Sequence, residues 1–145
     1  MSGKRKRKLD AQGFAETRAA ALDAVTGRDF SAALRSLDRL ISSGDRAPEC
    51  LLLRASCQLA LSEGKVTSVR LPKALKDAEA ACERSPAMPE ARLCVARILL
   101  AQGDPFGAEI ASVHGIRLAA AKAAAKAAAQ AISKDGGEDG NDDAR

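Results

Sequence analysis

The sequence predicts an all-α protein. Alanine accounts for 32 of the 145 residues, and it has the highest helix propensity of the amino acids. Aromatic residues make up only 2% of the chain, which contains no tyrosine or tryptophan, so side chains that favour strands are scarce. Apolar residues recur at three- and four-residue spacing, as on one face of an amphipathic helix, most clearly at Leu34, Leu37, Leu40 and Ile41. These features argue against a β-sandwich or a barrel.

Proline and glycine residues divide the chain into successive helices. Pro48, Pro72 and Pro89 each fit the first turn of a helix, where the missing N–H costs little. Gly27 is expected to end the first helix, and Gly115 to bend the sixth helix or to separate it from the last one. The predicted helices cover residues 14–26, 30–42, 48–63, 72–84, 89–102, 105–114 and 116–133.

The length predicts a single domain, and charged segments flank it. Residues 1–13 are predicted to be a disordered basic tail, and residues 134–145 a disordered acidic tail. Residues 65–72 are rich in β-branched side chains and are predicted to form an inserted loop. Two interpretations of this loop stay open. It docks on a partner or folds over a groove, or it is a tolerated surface insertion.

Small residues recur with a period of 34 residues. Ala74 and Ala108 are 34 positions apart, and Ala33 falls into the same register once about seven inserted residues near 65–72 are set aside. Repetition of helix pairs at such a period is typical of proteins in which stacked repeats bury a continuous core.

This pattern resembles the tetratricopeptide repeat (TPR) family over residues 14–115, as three repeats. The family places small residues where the two helices of a repeat cross, and a proline after the second helix. The matching positions are Ala33, Ala55, Ala74, Ala81, Ala96, Ala108 and Pro86. The first repeat lacks its proline near Asp45, and of the usual large aromatic residues only Phe30 has a counterpart. The resemblance implies an antiparallel helix-pair solenoid.

A terminal repeat needs a covering element with a polar outer side. The Ala-rich helix at 116–133 is expected to be this capping helix, with Lys122, Lys126 and Gln130 facing water. The alternative is a semi-rigid spacer. The helix lacks the large apolar anchors of a membrane-binding helix.

The resemblance also implies a concave groove lined by the first helix of each pair. An apolar groove with two guanidinium groups suits an amphipathic or extended peptide that carries an acidic group. The alternative is that these leucines pack against each other or against the loop. The expected function is therefore a protein-binding adaptor, scaffold or assembly subunit. The candidate groove residues are Arg18, Leu22, Leu52, Leu59, Leu93, Arg97 and Leu100.

A co-chaperone module is the first alternative, since many TPR co-chaperones clamp a terminal carboxylate with Lys, Asn and Arg side chains. Arg18 matches the first basic position. Leu22 and Leu53 stand where the clamp has asparagine, and Glu90 and Cys94 stand where it has cations. A carboxylate needs converging donors, so these departures disfavour the clamp.

The second alternative is a ribonucleoprotein accessory that acts through the basic tail. The run fits a nuclear-import signal, an unstructured solvated segment or a contact with nucleic acid. No aromatic residues are interleaved to stack on bases, so nucleic-acid binding is only weakly supported. The expected compartment is cytoplasmic or nuclear. The run comprises Lys4, Arg5, Lys6, Arg7 and Lys8.

The sequence predicts no enzyme, cofactor, metal site or small-molecule substrate. It has one histidine, His114, and no Gly-rich phosphate loop, nucleophile elbow or HExxH motif. The cysteines show no zinc-ligand spacing and are expected to be buried small apolar residues, with a redox or metal role as the alternative. They are Cys50, Cys57, Cys82 and Cys94. No apolar run is long enough to span a bilayer, and no secretory signal follows the basic run.

Overall fold

The computed structural model describes residues 9–135, which form six α-helices and no strand over that range, and this confirms the all-α prediction. The basic run at 4–8 and residues 136–145 lie outside the described residues. Residues 11–13 were predicted to belong to the disordered tail, and this was wrong, because the Asp10 cap starts α1 at Ala11. The helices are α1 (Ala11–Thr26), α2 (Phe30–Ser42), α3 (Pro48–Leu61), α4 (Arg70–Arg84), α5 (Pro89–Ala101) and α6 (Pro105–Asp135).

Local sequence signals set most of the helix ends. The side chains of Asp10, Asp29 and Asp104 accept hydrogen bonds from backbone amides in the first turns of α1, α2 and α6. Helices α3 and α5 begin at a proline instead. Gly103 has a φ of 81°, a left-handed conformation that lets the chain turn sharply from α5 into α6.

The helices pack in sequential antiparallel pairs, with α1 against α2, α3 against α4 and α5 against α6. Helices α2 and α4 each also pack on the helix that follows, and α3 contacts α5. Two apolar clusters form the core, one centred on α2 and one on α3, α4 and α5. The alanines at the expected helix crossings are all buried: Ala33, Ala55, Ala74, Ala81, Ala96 and Ala108.

Helix α4 begins at Arg70, two residues before the predicted start at Pro72. Leu71 is only 1% exposed, so burial of its side chain draws the preceding turn into the helix. Pro72 is tolerated because it lies in the first turn, where its absent N–H has no intrahelical partner. The connecting loop therefore covers residues 62–69, which is as long as the predicted 65–72 but begins three positions earlier.

Gly115 does not separate α6 from a further helix, so that expectation was wrong. The helix runs through it as one element of 31 residues. Gly115 is buried against α5, and a Cβ atom at this position would lie 3.0 Å from Cδ2 of Leu93. The glycine permits a close approach of two helices, and a neighbouring alanine-rich sequence has no residue that would end the helix.

The predicted capping helix at 116–133 does not cover the end of the domain. Residues 119–134 are all exposed, and so are Ile110 and Val113, which the cap was expected to bury. Helix α6 is about 46 Å long and α5 about 20 Å, so the second half of α6 extends beyond its packing partner. No turn reverses the chain at Gly115, and the segment therefore cannot fold back.

Candidate partner-binding groove

Helices α1, α3 and α5 line a groove made of two adjoining hollows. The first, of about 610 Å³, lies between α1 and α3, and its wall is mainly apolar. The second, of about 290 Å³, lies between α3 and α5. Leu52, Ser56 and Glu90 line both hollows, so the two form one continuous surface.

Five of the seven predicted groove residues line these hollows. Arg18 and Leu22 line the first, Leu59 and Arg97 line the second, and Leu52 lines both. On α1, Leu22 is 56% exposed, so this leucine is available for contact with a partner. The structure thus brings together residues that are up to 79 positions apart in the chain.

The two remaining predicted residues, Leu93 and Leu100, line neither hollow. Leu93 packs towards α6 at Gly115. Leu100 is 62% exposed and lies outside the groove. The α5 residues that face the groove have the helical spacing i, i+4 and i+7 and begin three positions earlier, at Glu90, Cys94 and Arg97.

The sequence therefore predicted only part of the α5 surface that lines the groove, since Arg97 lies there whereas Leu93 and Leu100 do not. The apolar residues of α5 surround the helix almost completely, because it packs on both α4 and α6. Leucine positions alone could not identify the groove face. The usable signal was the polar pair Glu90 and Arg97, two turns apart on an otherwise apolar helix.

Arg18, whose side chain is half exposed, pairs with a buried carboxylate at the edge of the groove. Its Nε and Nη2 atoms lie 2.8 Å and 2.5 Å from Oδ2 of Asp45, whose side chain is 3% exposed. Asp45 also accepts hydrogen bonds from the backbone amide of Ala47, at 3.1 Å, and from the thiol of Cys50, at 3.5 Å. The pair fastens α1 to the turn between α2 and α3.

These contacts settle the protonation of Asp45. Burial of Asp45 opposes its ionisation, but the hydrogen bonds from Arg18, Ala47 and Cys50, with the charge of Arg18, lower the pKa of the carboxyl below its ordinary value of 3.8. The hydrogen bond to Asp45 and the charge of that carboxylate raise the pKa of Arg18. The guanidinium of Arg18 therefore serves mainly to pair with Asp45 within the fold.

The remaining charges give the groove a polarity that the sequence did not predict. Glu49 and Glu90 line the first hollow and are exposed, and Arg97 lines the second. Among residues 9–134, the ion pairs involve Arg18 and Arg54, so Arg97 has none there. Two acidic side chains thus lie beside the mainly apolar wall of the first hollow, and the cation Arg97 lines the second hollow.

A second ion-pair network lies away from the groove. Arg54 on α3 donates two hydrogen bonds of 2.7 Å to Asp77 on α4 and one of 3.1 Å to Asp38 on α2. The hydrogen bonds to Asp77 and the charges of both carboxylates raise the pKa of Arg54, although burial opposes this. The side chain of Asp77 is only 9% exposed, so this carboxylate is buried although its sequence position on α4 is typical of a solvated helix face.

The cysteines lie within the packed helices, as expected. All four are buried and unpaired, and burial raises the pKa of the Cys57 and Cys94 thiols. Across the described part of the chain, no group of three or more His, Cys, Asp or Glu side chains is placed to hold a metal ion. Within the same residues, no helix has both the length and the apolar character to cross a bilayer.

The inserted loop does not fold over the groove. Val66 and Val69 are 56% and 75% exposed, and neither lines a hollow of the groove. The side chain of Val66 lies close to Gly103, at the turn between α5 and α6. The interpretation that the loop covers the groove is therefore wrong, whereas docking on a partner stays a prediction.

Comparison of the chain with protein-family models, with curated proteins and with solved structures gave no match.

Proposed function

We propose that this protein is an adaptor or assembly subunit that binds a peptide or a partner helix in the groove lined by α1, α3 and α5. The observation that carries the proposal is the continuity of the two hollows, which share Leu52 and together expose apolar side chains from three helices. Apolar grooves of this kind suit an amphipathic helix, whose apolar side chains enter at successive turns.

We further propose that the helix pairs are TPR-like repeats that form a short solenoid. Three features favour this arrangement. The helices pack as three sequential pairs, α3 contacts α5 as equivalent helices of adjacent repeats would, and the small residues expected at the crossings are buried. In such a solenoid the first helix of each pair lines the concave side, which is where the groove lies.

The charges in the groove suggest the chemistry of the partner. Arg18 is engaged by Asp45, so it offers little to an acidic group of a ligand. Glu49 and Glu90 favour a basic residue of the partner at the first hollow, and Arg97 favours an acidic residue at the end of the second hollow that lies away from Glu90, two helical turns along α5. Glu90 would repel a terminal carboxylate, which disfavours the clamp of the co-chaperone alternative.

A selection of peptide ligands tests this proposal. Random peptides of helical length displayed on phage are selected on the full chain, and the selected peptides are then titrated against two variants. We expect Leu22→Glu to weaken their binding by at least about tenfold, because it puts a charge into the apolar hollow. Arg97→Glu should weaken the binding of those peptides that carry an acidic residue at the end that enters the second hollow.

Leu100→Glu is the matched control, since Leu100 has a similar exposure and lies outside both hollows. This variant should bind the peptides as the original chain does. Circular dichroism verifies that all variants keep their helix content. If selected peptides bind Leu22→Glu and the original chain equally well, the groove is not the binding site.

A further inference from the structure

The exposed side of α6 carries an apolar stripe along most of its length. Phe106, Ile110 and Val113 in its first half are 74%, 60% and 43% exposed. Their spacing of four and three residues puts them on one face. Ala108 and Gly115, which pack inwards, lie on the opposite face of the helix.

The stripe continues into the second half of α6 with a different side chain. The same alternation of four and three residues leads to exposed alanines: Ala120, Ala124, Ala127 and Ala131. The only interruption is Arg117, at the centre. Large apolar side chains therefore occupy one half of a single face, and small ones the other half.

The stripe is symmetric about its centre. Counting outward from the point between residues 118 and 119, each large residue has an alanine at the same distance on the other side. Phe106 corresponds to Ala131, Ile110 to Ala127 and Val113 to Ala124. In an antiparallel pair of such helices, every large side chain meets a small one, which lets the two backbones approach closely.

We propose that this stripe is an interface between two copies of the chain, which pair through antiparallel α6 helices about a two-fold axis between residues 118 and 119. The domains lie on the outer sides of the pair, because each α5 packs on the face of α6 opposite to the stripe. Such an isologous interface uses the same patch on both copies.

Charge and dipole are consistent with this register. Asp104, at the start of α6, comes within one residue of the level of Lys134 near the end of the other copy's α6. Antiparallel helices also place opposite ends of their dipoles side by side. Arg117 opposes the pairing, since the two copies of this residue come close to the axis. The small Ala120 that faces it leaves room for the guanidinium to reach water.

The area sets the expected strength of the dimer. The stripe from Phe106 to Ala131 is about 38 Å long and roughly 10 Å wide, which gives on the order of 800 Å² for the two copies together. Standard stable interfaces bury about 1,600 Å². We therefore expect a weak dimer, with a dissociation constant in the micromolar range.

Sedimentation equilibrium of the full chain tests the proposal between about 1 and 300 µM. The average mass should rise with concentration from the 15.1 kDa of one chain towards twice that value. We expect Val113→Lys to raise the dissociation constant by more than about tenfold, because the two-fold axis repeats the change. Arg117→Ala should tighten the dimer. Val69→Lys is the matched control, since Val69 is exposed in a loop away from α6.

Cross-linking with a short bis-maleimide tests the register. Val113→Cys in one copy should cross-link to Ala124→Cys in another, whereas Val113→Cys alone should not, because the two positions are about 16 Å apart along the axis. The native cysteines are buried, and the unmodified chain is the control. A mass that stays at 15.1 kDa at every concentration, equal effects of the two Val→Lys changes, or cross-linking of Val113→Cys to itself would each overturn the proposal.

Discussion

The two halves of α6 differ in what keeps them helical. Residues 105–118 pack along α5, with Ala108 and Gly115 buried in the contact. Residues 119–134 are exposed throughout and extend beyond α5. The first half depends on tertiary packing, and the second depends on the helix propensity of its alanines. A single continuous helix can therefore contain one part that stabilises the fold and another that contributes almost nothing to the stability of the fold.

The largest effect is expected within the packed region, at the network of Arg54. Arg54→Ala leaves the buried carboxylate of Asp77 without its partner, and we expect a loss of roughly 3 kcal/mol in the free energy of unfolding. The measurement is urea denaturation followed by circular dichroism. Arg39→Ala, on the exposed face of α2, is the control and should change stability by less than about 0.5 kcal/mol.

The double variant Arg54→Met with Asp77→Leu sharpens that result. It removes both charges and fills the space with apolar groups, so most of the lost stability should return. If Arg54→Ala alone is harmless, the pair does not hold α3 to α4.

The next largest effect is expected at Gly115, in the half of α6 that packs on α5. Gly115→Leu places a side chain where even a Cβ would lie 3.0 Å from Leu93, so we expect a loss of about 2 kcal/mol from overpacking. Ala123→Leu adds a leucine to the exposed half of the same helix and should leave stability unchanged. The melting temperatures of both variants are measured by thermal unfolding at low micromolar concentration. Equal melting temperatures for the two variants would contradict the packing of Gly115.

A smaller effect is expected at Asp45, and it depends on pH. Because the pKa of Asp45 is lower in the folded chain than its ordinary 3.8, its ionised form stabilises the fold above about pH 4. That contribution is lost as the pH falls through the folded pKa. Asp45→Asn should therefore cost about 1.5 kcal/mol at neutral pH and progressively less below about pH 4, as measured by urea denaturation. A difference that is independent of pH would show that the charge does not matter.

The smallest effect is expected in the exposed half of α6. Removal of residues 123–145 should shift the free energy of unfolding by less than about 0.5 kcal/mol, because residues 123–134 bury no side chain against the domain. The double change Ala125→Gly with Ala129→Gly should lower the helix content, at about 1 kcal/mol of helix propensity per glycine, without moving the melting temperature. A clear fall in melting temperature would mean that this half is a cap after all.

Much of the fold could be predicted from local signals. Prolines predicted the starts of α3 and α5, and the apolar periodicity of α2 predicted its buried face at Leu34, Leu37 and Leu40. The recurring alanines predicted six positions at expected helix crossings, and all six are buried. In the candidate groove, the predicted residues of α1 and α3 line the hollows, and so does Arg97 of α5.

By itself the sequence determined the helices, their order and the small residues at the crossings, since these depend on propensity, capping and periodicity within a few residues. Only the tertiary structure decided which face of α5 lines the groove. That helix is apolar on nearly all sides, so its rotation about its axis is set by packing against α4 and α6. Only the tertiary structure decided that Asp45 and Asp77 are buried, since their arginine partners lie 27 and 23 residues away. The same holds for the second half of α6: its sequence permits a cap, but α5 is too short to give it a surface to cover.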